Sequence, residues 1–194
     1  APTTAARLKE LFTQVFIGVL MGLSLQVVSA ALVVGGQAIS ASMGLSMANM
    51  VDPNMGNVPV IAQFLLICST LIFLGFGGHA LVLRALLESF TTLPIGADVE
   101  VQLLLTALFE WSAMMFMGAL LLAMPIMVSL LLVNLGLGVI TRAAPALNIF
   151  AVGFPAMLMA GMLILSLSMR SIGFRIQWLW EQSFDTVGKM LGIT

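Results

Sequence analysis

Residues 111–133 read WSAMMFMGALLLAMPIMVSLLLV, and no charged side chain follows them until Arg142. A helix needs about 20 apolar residues to cross the hydrocarbon of a bilayer, and this run exceeds that. Strands of a membrane barrel would alternate with period two over ~10 residues, and the Leu, Met and Ala here do not alternate. Backbone exposed to lipid must satisfy its own hydrogen bonds, which leaves the helix. Three further stretches have the same character: Leu11 to Val51, Pro53 to Leu83 and Ala143 to Met169, with His79 counted as neutral. The fold class expected is all-α, an integral membrane protein of long kinked helical hairpins.

Composition supports this. Of 194 residues, 61% are hydrophobic and 8% charged, whereas a soluble domain carries about 25% charged residues. The mean hydropathy is +1.16. A net charge of −1 points away from nucleic acid as a partner. The one cysteine, Cys68, makes neither an internal disulfide nor a metal cage. Methionine is abundant at 15; its soft, unbranched side chain suits irregular gaps or a seal that must adapt.

Pro, Gly and Asn clusters divide the chain. Loops are expected at Val51–Pro59, at Thr91–Gly96 and at Asn134–Gly138, the last followed by Arg142-Ala143-Ala144-Pro145. Helices are expected near 7–34, 59–90, 98–133 and 149–170, then a separate one near 174–191. Residues 35–50, opening with Gly35-Gly36, read as weakly helical. Residues 1–170 therefore form the membrane part and 171–194 an amphipathic C-terminal tail. In that tail, Trp178 and Trp180 suit a membrane interface, where an indole ring is half wet, with docking to a partner protein as the second reading. Spans at 11–34, 60–78, 111–133 and 149–169 would leave Arg7, Lys9, Arg84, Arg170, Arg175 and Lys189 on one side and Arg142 on the other. The positive-inside rule then places both termini in the cytoplasm.

Catalytic constellations do not stand out. His79 is the only histidine, and zinc wants three or four ligands. A proton relay through His79 is conceivable, but a structural hydrogen bond is the plainer role. Arg84 and Glu88 are four residues apart and can pair on one helix face. Glu110 and Arg142 flank the apolar run at 111–141 and suit polar contacts at its ends. No cofactor, metal or catalytic residue is expected, so the chain reads as a non-enzyme. A small-solute transporter or channel is the alternative reading, although internal repeats and mid-span charges, common in transporters, are lacking.

Three segments carry a family resemblance. The first is Met43-Gly44-Leu45-Ser46-Met47-Ala48-Asn49-Met50-Val51-Asp52-Pro53. The second is Gly78-His79-Ala80-Leu81-Val82-Leu83-Arg84-Ala85-Leu86-Leu87-Glu88-Ser89-Phe90, running into Leu93-Pro94-Ile95-Gly96. The third is Asn134-Leu135-Gly136-Leu137-Gly138, then Arg142-Ala143-Ala144-Pro145-Ala146-Leu147-Asn148 and Gly153-Phe154-Pro155. In order and spacing they resemble the FliR family of flagellar biosynthetic proteins, from about Gln14 to Met169. The chain departs from the usual family residues at Met47, Gly78 and Ala146, and a helical region that usually opens the family is expected to be missing here.

The resemblance implies a subunit of the flagellar type III export gate, packed in a helical hetero-oligomer with FliP and FliQ and associated with FlhB. Its place would be the bacterial inner membrane at the flagellar basal body, in contact with lipid and with translocating flagellar proteins. It also implies that the segment from Met43 to Pro59 plugs the pore. The residues suit that role: Met43, Met47, Met50 and Met55 are flexible thioethers, Gly44 and Gly56 loosen the backbone, and Asp52-Pro53 favours a turn.

Overall fold

The computed structural model describes residues 4–45, 59–96, 101–143 and 149–192. Five helices make up nearly all of these: α1 (Thr4–Ser42), α2 (Val60–Gly75), α3 (Gly78–Thr92), α4 (Val101–Ala143) and α5 (Ile149–Leu191). The fold is all-α, with no strand among the described residues. α1, α4 and α5 are each long and apolar enough to cross a membrane, and α2 with α3 forms a bent pair that passes the same test together.

Contacts define the path. Trp111 meets Ser24, and Gly35 lies against Ala119, so α1 and α4 run in the same direction. Gly161 lies against Met43 while Ser183 meets Ser24, so α5 runs opposite to α1. Gln14 reaches the carbonyl of Leu93, which brings the end of α3 back beside the start of α1. The chain thus passes up along α1, down along α2 and α3, up along α4 and down along α5.

The core is made by one stripe of each long helix. On α1 it comprises Ile17, Leu20, Ser24, Val28, Leu32 and Ile39, at the three- and four-residue steps that bring side chains onto one helix face. Leu122, Ile126 and Leu130 of α4 and Ile176 and Leu179 of α5 pack against it, with Leu65 of α2. The opposite faces are apolar too: Phe12 is 68% exposed, Leu132 65% and Leu167 77%. Such a surface needs lipid or another protein against it.

Several boundaries differ from the sequence reading. Asn134–Gly138 is no loop; α4 runs through it to Ala143. Glycine weakens a helix in water, but without competing water the backbone has no other bonding partners and the helix continues. Gly35-Gly36 likewise lies within α1, where it serves close packing. A Cβ on Gly36 would sit 2.5 Å from Ala62 Cα, and one on Gly35 would sit 3.3 Å from Ala119 O. Small residues let apolar helices approach this way. Where one helix was expected over 59–90, the structure has two, bent by 67° at Phe76–Gly77. Gly77 adopts φ 78°, the left-handed region open to glycine. The expected break before residue 174 is absent, because α5 is continuous to Leu191. The loop expected at 51–59 lies outside the described residues apart from Pro59.

Candidate functional site

The C-terminal end of α1 is the root of the segment singled out in the sequence. Its last turn closes with the Gly44 amide donating to Ala41 O at 3.1 Å and the Leu45 amide donating to Ser40 O at 3.0 Å. Gly44 takes φ 78°. This is a Schellman cap, which needs a left-handed residue and so suits glycine. Met43, just before it, is fully buried in the core of this chain. Its thioether fills the notch left by Gly161, where a Cβ would lie 2.5 Å from Met43 Cε. Met43 and Gly44 therefore anchor the segment. Met47, Met50, Asp52, Pro53, Met55 and Gly56 lie outside the described residues. Beside the anchor, a cleft of ≈ 390 Å³ is lined by Ser42, Met124, Met127, Asn134 and Met157.

Of the polar candidates only Arg84 and Glu88 are brought together. His79 is exposed at the start of α3. Arg84 Nε donates to Glu88 Oε1 at 2.8 Å on the outer face of α3. Glu110 and Arg142 are both exposed on α4, near opposite ends of its uncharged run. They are ~48 Å apart along the helix at 1.5 Å per residue. Among the described residues no group of three His, Cys, Asp or Glu side chains could hold a metal ion.

A buried polar junction was not anticipated. The carbonyl of Ser24 accepts from Trp111 Nε1 at 2.8 Å and from Ser183 Oγ at 3.1 Å. Ser24 Oγ donates back to Leu20 O at 2.9 Å. Three helices thus meet at one backbone group. Trp180 Nε1 donates to Ser69 Oγ at 2.9 Å, and its ring packs 4.5 Å from that of Phe73. Trp180 is 9% exposed, so its indole joins α5 to α2 within this chain. The signal was a Trp or Ser on the buried stripe of a helix, legible only once the stripe's direction is known.

Comparison with known proteins bears on the family. The family model described as bacterial export proteins, family 1, matches residues 3–183. The flagellar biosynthetic protein FliR of Pectobacterium carotovorum subsp. carotovorum is 40% identical over 182 residues, covering 93% of this chain and 70% of the relative. FliR of Escherichia coli (strain K12) is 35% identical over 179 residues, covering 92% of this chain and 69% of the relative. FliR of Bacillus subtilis (strain 168) is 28% identical over 189 residues, covering 94% and 72%. With the family model matched over nearly the whole chain, and with its resemblance to FliR upheld by these relatives, this helical membrane protein belongs to the bacterial export proteins, family 1, as a FliR-type component of the flagellar export apparatus.

Proposed function

We propose that the chain is a non-enzymatic subunit of the flagellar type III protein-export gate, assembled with FliP and FliQ, contacted by FlhB, and placed in the inner membrane at the flagellar basal body. The observation that carries the assembly reading is apolar surface in excess of one bilayer. α4 has 43 residues and so is ~65 Å long, about twice the ~30 Å hydrocarbon thickness. Phe12 and Phe109, 68% and 69% exposed, stand on the same half of the molecule as Glu10, Glu110 and the Arg84–Glu88 pair. Exposed rings among charges need a protein surface to cover them, which supports an assembled subunit. Purification of the full chain co-expressed with FliP and FliQ in mild detergent tests this: a discrete hetero-oligomer is expected. A well-behaved particle of this chain alone, with both partners present in the cell, sinks the reading in favour of a solitary transporter.

Within the gate, the segment following Met43 is the plug. Its root is held by Met43 in the Gly161 notch, and the neighbouring cleft is lined by Met124, Met127 and Met157. Thioethers on both sides make a seal that can deform around an unfolded chain and close again. Deletion of residues 47–57 is expected to raise ion leakage through the resting gate, read as proton or dye flux in sealed vesicles. Leakage unchanged from the intact chain means that the segment is an ordinary connection.

A further inference from the structure

The axial positions of the charges divide the molecule. α5 carries no charge from Ile149 until Arg170, and α4 none from Trp111 until Arg142. Arg170 lines the same groove as Gly118 of α4. Gly118 packs against Leu179, further along the antiparallel α5, so Arg170 stands ~14 Å nearer the Arg142 level than Gly118 does, and ~22 Å separates the two arginines along the bundle. Between the levels of Arg170 and Arg142 no described residue of any helix is charged, so an uncharged slab, somewhat thinner than the ~30 Å of bilayer hydrocarbon, runs through the molecule. Arg170 marks one face of it and Arg142 the other.

The groove at the Arg170 face has a volume of ≈ 620 Å³. Its lining combines the polar Arg170, Ser171 and Arg175 with the apolar Leu121, Leu167 and Phe174. Its depth comes from Gly118, whose missing side chain makes room for Leu179, with Leu179 Cδ2 2.7 Å from where a Cβ would stand. Trp178 stands at the rim, 36% exposed. Neither arginine forms an ion pair among the described residues. Two unpaired guanidinium groups at the polar edge of the slab lack a counter-charge, and Leu167, one turn before Arg170 on α5, lies on their hydrocarbon side. A guanidinium fork matches phosphate oxygens, and basic pockets between membrane helices hold anionic head groups.

We propose that this groove binds an anionic phospholipid, with its phosphate on Arg170, Arg175 and Ser171 and an acyl chain along Leu121, Leu167 and Phe174. Trp111 and Trp180 are buried, at 4% and 9% exposure, so Trp178 is the indole that bound lipid can reach. The test uses the full chain, alone and co-purified with its partners, in phosphatidylcholine vesicles. Increasing fractions of brominated phosphatidylglycerol, or brominated phosphatidylcholine as control, are added and tryptophan quenching is followed. Quenching by the glycerol lipid is expected at a fraction on the order of tenfold lower than by the choline lipid, given two arginines near the surface. The preference should vanish in the Arg170→Gln/Arg175→Gln variant and survive in Arg142→Gln, which removes one charge at the other face. Equal quenching by the two head groups, or a preference that survives the double variant, overturns the proposal. So does loss of quenching in the co-purified complex, because the groove would then be covered by protein.

Discussion

At the scale of single residues, the absence of a side chain is what lets the helices meet. A Cβ on Gly36 would fall 2.5 Å from the backbone of Ala62, which cannot turn aside as a side-chain tip can. Gly36→Ala is therefore expected to destabilise the chain by about 1–3 kcal/mol, the usual cost of overpacking a filled interior. Thermal unfolding in detergent, followed by circular dichroism, measures it. Gly18→Ala is the control, since nothing lies within 4 Å of a Cβ there, and it should leave the midpoint unchanged or raise it. In the sequence both residues are simply glycines within an apolar run. Only the neighbour across the gap separates them. The same holds for Met43, which reads equally well as seal or core, and which the Gly161 notch shows to be buried.

At the scale of elements, glycine acts in two opposite ways. Inside α4, Gly136 and Gly138 leave the helix unbroken, with nothing near them. At Gly77 the backbone turns to φ 78° and the chain bends by 67° between α2 and α3. Gly77→Ala is expected to cost about 1–2 kcal/mol, because an L-residue in the left-handed region is strained. Gly75→Ala, two positions earlier at the end of α2, should cost nothing and can gain helix propensity. Chemical unfolding of the two variants in the same detergent distinguishes them. Should Gly77→Ala match the parent, the bend does not depend on the left-handed glycine. Neither composition nor spacing told the two kinds of glycine apart. The uncharged runs marked out the helices, and the break expected at Thr91–Gly96 falls where α3 ends, whereas those at Gly35-Gly36 and Asn134–Gly138 were misplaced because turn signals calibrated in water lose force where the backbone has no other bonding partner.

For the whole molecule, the decisive feature is an outer surface as apolar as the core. Residues beyond the uncharged slab, Phe109 among them, are exposed in this chain and in the proposed gate face a partner. Phe109→Glu should thus leave the helical content and detergent behaviour of the isolated chain unchanged, because the side chain is 69% exposed. It should sharply reduce recovery of FliP and FliQ in co-purification. Retention of both partners at the parent level would place Phe109 outside the interface. A charge at Leu132, within the slab and also exposed, is expected instead to impair insertion, since a charged residue at the centre of a spanning helix costs roughly 3 kcal/mol. Membrane yield against total expression reads that out.

The sequence alone determined the solvent and the class. With 8% charged residues and uncharged runs longer than a bilayer is thick, water was excluded and helices were required, since hydrogen-bond satisfaction in lipid depends only on local backbone geometry. Three ordered strings of residues also sufficed for the family. The tertiary structure alone decided which face of each helix is inside, where the chain bends, and which polar groups meet. An apolar helix with no polar face has no amphipathic pattern to reveal its orientation. The joining of Trp111 and Ser183 at Ser24, and the shared groove of Arg170 and Gly118, depend on register between segments far apart in the chain.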